Sequence, residues 1–222
     1  RITPEQKAHK WLLRLFNPER RENNLYILSL IRFFPVKRRL LRKLNYLLNL
    51  INLKRVIKKF EFSEAILWIY TPDGIEYVGQ LGEKKVVYDC VDEYAAQPYY
   101  KDNFDNIKLA ELKLLEKADY VITSAPKLYE GKRKYNKNTY MVPNAGDYEH
   151  FSKVTKENIA IPEDIVRIPK PIIGFVGAID EYKLDFQMII YLADSNPNWS
   201  VVLIGPVGHA ERGTDIRIFR EK

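Results

Sequence analysis

Residues 140–151 read YMVPNAGDYEHF, and the way the chain enters and leaves this stretch decides the fold class. A strand-like run ends on Pro143, the chain turns through Asn144-Ala145-Gly146-Asp147, and Tyr148 and Phe151 are placed to anchor the next segment. Asn, Gly and Asp suit such a turn, because Gly tolerates positive φ and Asn or Asp can bond its own backbone. Upstream, apolar strand-like runs alternate with helical ones. Downstream, a polar connection over 154–170 leads to a new strand that opens as PIIGFVG at Pro171. The stretch reads as the junction of two α/β units.

Working back from the junction, TYMVP (139–143), YVITS (120–124), KKVVYDC (84–90) and AILWIY (65–70) read as strands. Helical runs over 126–135, 104–118 and 75–81 separate them, the second with an apolar face of Phe104, Ile107, Ala110, Leu114 and Ala118. Further back, Pro35 opens a helical stretch over 36–60. Its leucines and isoleucine at 40, 44, 47 and 51 recur in steps of four and three, the spacing of an ordinary core-facing stripe. LYILSLI (25–31) is apolar on both faces, as a buried parallel strand requires. At the start, Thr3-Pro4-Glu5-Gln6 has the pattern of a helix N-terminus, with the helix running to about Phe16. Beyond the junction lie one strand, helix and strand, at 172–176, 184–193 and 200–204. Strands alternating with helices at this spacing predict parallel sheets with right-handed crossovers.

A chain of 222 residues, with 46% hydrophobic and 13% aromatic content, is long enough and apolar enough to fold. One cysteine, Cys90, excludes an internal disulfide and a cysteine metal cluster, and it fits a reducing compartment. The net charge of +7 is uneven: residues 1–60 hold 16 Lys/Arg against 3 Asp/Glu, a balance of +13. Lys37, Arg38, Arg39, Arg42 and Lys43 crowd the start of the 36–60 helix, where they oppose its dipole. With Phe33 and Phe34 they form a candidate membrane surface for anionic lipid. Nucleic acid fits less well, because leucines rather than stacking aromatics interleave the basic residues.

In a parallel sheet, ligands bind beyond the carboxyl ends of the strands. At the end of KKVVYDC and in the VDE that follows, Asp89, Asp92 and Glu93 cluster; they can supply a general base or ligate a metal, or Asp92 or Glu93 can simply cap the next segment. Thr123 and Ser124 read first as helix caps. Asn144 and Asp147 are cleft candidates that turn-making explains almost as well. In GFVGAIDEYKLDF a strand ends on Gly177, a helix is expected from about Tyr182, and Lys183 falls in its first turn. A helix N-terminus with a lysine suits phosphate, with Gly205-Pro206 at the end of the neighbouring strand as a second wall. Asp180 and Glu181 oppose that site unless they face away.

Four segments in order, ILWIYTPD, VVYDCVDE, VPNAGDYEHF and IIGFVGAIDEYKLDF…NPNWSVVLIGPV, make the chain resemble glycosyltransferases of the GT-B fold, family-1/family-4 type. The likeness is greatest to bacterial enzymes that build cell-surface polysaccharide, including teichuronic-acid-type transferases. The resemblance implies an α/β protein with a Rossmann-like acceptor-side domain over 1–153, lacking its first strand. A connection over 154–170 then leads to the start of a Rossmann-like nucleotide-sugar domain over 171–222. The donor implied is a nucleotide-sugar, UDP-linked, and the acceptor a glycan or lipid-linked molecule. Neither a metal nor another cofactor is required. It places Lys183 on the donor's pyrophosphate and Gly177, Gly205 and Pro206 around it.

Two departures matter. Many retaining relatives carry a His after the strand that here reads VVYDC; Val91-Asp92 stands in its place, which makes Asp92 the catalytic candidate, as base or positioning residue, and leaves inversion or retention open. The acidic Glu-x7-Glu motif of the second domain is not supplied by GHAERGTDIRIFREK, so the chain is expected to be a catalytically incomplete fragment. The expected location is cytoplasmic, peripheral at the inner face of the membrane. The alternative is a non-catalytic membrane-surface or partner-binding module derived from the same fold.

Overall fold

The computed structural model describes residues 17–30, 32–35, 38–97, 100 and 103–208. The helix expected over 3–16, Lys37, the side chain of Arg39 and the segment from His209 onward lie outside the described residues. The chain divides between Asn144 and Ala145 into two compact units.

The first unit is built on a parallel sheet of β3 (Ile66–Ile69), β4 (Lys85–Cys90), β5 (Tyr120–Thr123) and β6 (Thr139–Met141), side by side in that order. Trp68 pairs with Val87, Asp89 with Ile122 and Ile122 with Tyr140, so the register runs unbroken across the sheet. Helix α2 (Phe104–Lys117) crosses between β4 and β5, and α3 (Pro126–Lys132) between β5 and β6. Alternation along β4 sends Val86, Tyr88 and Cys90 to one face, where they close a core with Ile69, Leu114, Leu115, Ala118 and Val121. The α/β, Rossmann-like expectation holds.

Polar side chains pin the corners of this sheet. Asp119 accepts from the Val86 amide at 2.8 Å and from Lys85 Nζ at 2.7 Å, fixing where β4 begins. Asn136 Nδ2 donates to the carbonyls of Leu115 and Ala118, both at 2.8 Å, satisfying orphan acceptors at the end of α2.

Two upstream expectations are corrected. LYILSLI is not a buried parallel strand: Leu25–Ile27 (β2) turns back on Glu19–Glu22 (β1) as an antiparallel hairpin, with all three β2 residues exposed. The two-residue link permits this, because Asn24 takes φ 69°, a left-handed value that Asn tolerates. The second correction concerns α1 (Arg39–Lys59). Its expected core stripe at 40, 44, 47 and 51 is exposed, while Asn45, Asn49, Leu50 and Asn52 are buried. Asn45 decides the register: its Oδ1 accepts from the Phe34 amide at 3.1 Å, and its Nδ2 donates to the Phe34 carbonyl at 2.8 Å. Asn49 bonds the Tyr77 side chain, and Tyr46 Oη donates to the Glu76 carbonyl at 3.1 Å. The expected 75–81 helix is a shorter 3-10 turn over Pro72–Tyr77.

In the second unit, α4 (Tyr148–Lys156) and the short α5 (Glu163–Val166) precede a two-stranded parallel sheet of β7 (Ile172–Val176) and β8 (Ser200–Ile204), joined through α6 (Phe186–Ser195). Tyr148 and Phe151 do not anchor α4, since both are largely exposed; Asp147 starts it instead, accepting from the His150 amide at 2.9 Å.

Candidate functional site

Strand β4 ends on Cys90, and Val91-Asp92-Glu93 carries the chain into a 3-10 turn at Tyr94–Ala96. Ser124 Oγ donates to the Val91 carbonyl at 3.0 Å, tying the ends of β4 and β5 together. Neither Thr123 nor Ser124 caps α3: Ala125 is the N-cap, and Thr123 Oγ1 donates to the Tyr140 carbonyl at 3.2 Å.

The three acids of this strand end have three different environments. Asp89 accepts from Trp68 Nε1 at 3.1 Å, one strand over. Asp92 is exposed, and its Oδ2 accepts from the neutral Gln97 amide at 3.1 Å. Glu93 is gripped by Lys132, whose ammonium lies 3.0 Å from each of its carboxylate oxygens. Neither Asp92 nor Glu93 makes a side-chain cap on the following turn. The geometry thus separates Asp92, whose partner is a neutral amide, from Glu93, which Lys132 holds through both oxygens.

Behind Glu93 lies a network that the sequence reading missed. Lys132 Nζ also donates to Glu111 Oε2 at 2.8 Å, and Tyr88 Oη donates to Glu111 Oε1 at 2.8 Å. Burial alone would lower the Lys132 pKa, but the bonds and charge of Glu111, then Glu93, outweigh it and raise the value. Burial pushes the Tyr88 phenol up strongly, and it lifts the Cys90 thiol to about 12. One signal was available: Glu111 stands four after Ile107 and three before Leu114, a carboxylate inside the apolar face of α2.

The second unit holds the residues expected around phosphate. Gly205 has φ 149°, and a Cβ there would lie 1.8 Å from the Gly177 carbonyl oxygen. A Cβ on Gly177 would meet the Phe175 ring at 2.8 Å. Backbone packing thus gives Gly205 a reason of its own, and the Phe175 ring gives Gly177 one. Pairing continues past the strands, with the Ile179 amide donating to the Pro206 carbonyl at 2.9 Å. The helix expected from Tyr182 begins only at Phe186, with Asp185 as its N-cap accepting from the Met188 amide at 3.0 Å. Lys183 precedes it in a tight turn: its amide donates to the Asp180 carbonyl at 3.0 Å, and its ammonium lies 5.5 Å from the Tyr182 ring centroid. Amides at 181–183 thus do not form a helix N-terminus. Asp180 is buried and Glu181 exposed.

Asn144 is exposed in the segment after β6, and Asp147 is the α4 cap. Of the expected membrane residues, Phe33, Phe34, Arg38, Arg42 and Lys43 are exposed; burial raises the carboxyls of Asp73 and Glu76, and Arg42 counters this at Glu76 and, after Arg32, at Asp73. Among the described residues no helix is long and apolar enough to cross a membrane.

No protein-family model matches the chain. It is 31% identical over 157 residues, 65% of its own length, to a Bacillus subtilis (strain 168) protein provisionally named a teichuronic acid biosynthesis glycosyltransferase, TuaH. The match covers 38% of that relative's length. The resemblance to glycosyltransferases read from the sequence is borne out over that span.

Proposed function

We propose that this chain is part of a glycosyltransferase that moves a sugar from a UDP-linked donor to a cell-envelope polysaccharide or lipid-linked acceptor. The observation that carries the reading is the 31% identity over 157 residues to a protein named for glycosyl transfer, in a chain with a Rossmann-like parallel sheet. Asp92 supports it chemically. In the proposed step Asp92 takes the proton of an acceptor hydroxyl, the hydroxyl oxygen bonds to the anomeric carbon, and the bond to the UDP oxygen breaks. UDP departs with the bonding electrons, and Lys183 balances charge on its diphosphate. Asp89, bound to Trp68, lines the same strand end without being the base.

The natural full-length protein, supplied with a panel of UDP-sugars and a membrane glycan extract, should release UDP only when a matching acceptor is present. Asp92→Asn should lower the rate about 10²-fold or more, whereas Glu93→Gln should act mainly through stability. No release with any donor, in a folded protein that still binds UDP, would favour the non-catalytic module.

A further inference from the structure

We propose that the outward face of α1, where Leu40, Leu44, Leu47 and Ile51 line up among lysines, is a docking surface for a bilayer with anionic headgroups. The four residues are 70%, 39%, 49% and 57% exposed. Steps of four, three and four residues put them on one face, about 16 Å long from Leu40 to Ile51 at 1.5 Å per residue. That face cannot roll inward without giving up both Asn45 bonds to Phe34 and the Asn49 bond to Tyr77. The hydrogen bonds of the inner face hold the aliphatic one outside.

Charge selects the occupant. Helix α1 carries seven Lys/Arg and no acidic residue. Lys43 follows Leu40 by three, Lys54 follows Ile51 by three and Lys58 by seven, so exposed ammonium groups border the stripe at both ends. Lysine stems can lie along apolar surface while their heads reach the headgroups. An aliphatic face with basic borders matches the interfacial helix pattern, in which apolar burial and attraction to anionic lipid add together.

The same charges disfavour other covers. A second copy across a two-fold axis would oppose this patch to itself, lysines against lysines. Residues 1–16 hold four Lys/Arg against one Glu, so they too would bring positive charge onto it. The inference concerns a different surface from the proposed catalytic residues, and its test requires no activity.

The test is co-sedimentation of the natural full-length protein with vesicles of phosphatidylcholine alone, or of phosphatidylcholine and phosphatidylglycerol in equal parts. Binding to the anionic vesicles should be at least roughly tenfold tighter, and salt should weaken it. Leu44→Asp with Ile51→Asp should abolish that binding while leaving the circular dichroism unchanged. Lys54→Gln with Lys58→Gln should reduce only the preference for anionic lipid. Equal binding to both vesicles, or none to either, overturns the proposal. So does a stripe variant that unfolds, which would mean the protein itself covers the face. A stripe variant that turns a dimer into a monomer would assign the face to a second copy and overturn it equally.

Discussion

The ammonium of Lys132 and the carboxylate of Glu111 meet at 2.8 Å, with only 7% and 6% of their side chains exposed. The pair joins the end of α3 to the middle of α2, directly behind the loop that carries Asp92. Because Lys132 also holds both oxygens of Glu93, one cation secures the core side and the solvent side of that loop.

Removing the cation should be costly. Lys132→Met leaves Glu111 buried without its counter-charge, and a loss of about 3–5 kcal/mol is expected from urea denaturation. Adding Glu111→Gln should recover much of the loss. The pH dependence has a definite sign. Folding raises the Lys132 pKa above 10.5, so its stabilisation is fully present below that pH and fades as pH climbs through the folded value. The gap between wild type and Lys132→Met should therefore be constant from pH 7 to about 9 and narrow only in strong alkali.

Cys90 should be inert in the folded protein. It is fully buried, with its thiol lifted to about 12. Thiolate is the reactive form, so alkylation by iodoacetamide at pH 8 should run roughly 10²-fold or more slower in the native state than in denaturant. Comparable rates in the two states would show that the β4 end opens readily.

Gly205→Ala tests the strand-end packing of the second unit. An added methyl has no room beside the Gly177 carbonyl, and φ 149° is strained for any residue with a Cβ. A loss of at least about 1–3 kcal/mol is expected, read as early melting of the second unit. A variant as stable as wild type would mean that the two glycines do not abut in solution.

Lys183→Ala tests the proposed donor contact. The resemblance gives the donor's diphosphate to Lys183, whose ammonium lies 5.5 Å from the Tyr182 ring centroid. Loss of one charge-assisted bond, about 1.5–3 kcal/mol, would raise the dissociation constant for UDP roughly tenfold or more by calorimetry. Unaltered affinity in a folded variant would leave Lys183 as a surface lysine beside Tyr182.

The sequence by itself determined what depends on near neighbours along the chain. The alternation of strand and helix from Ile66 to Ile204 and the parallel direction of β3 to β6 and of β7 and β8 follow from period and from connections too long for hairpins, whereas the side-by-side order of β3 to β6 was decided by the tertiary structure. The acids at the end of β4 were legible for the same reason, since a strand's carboxyl end is found by reading its apolar run. Only the tertiary structure decided which way α1 faces. Both its faces carry helical spacing, and distant Phe34 and Tyr77, rather than the leucines, chose the inward one. It also decided that Leu25–Ile27 pairs with a hairpin partner, because an apolar run says that a strand wants a neighbour without saying which. Finally, it separated Asp92 from Glu93. Two adjacent carboxylates look alike in sequence, and the difference between them is Lys132, 39 positions beyond Glu93, reaching back through the fold.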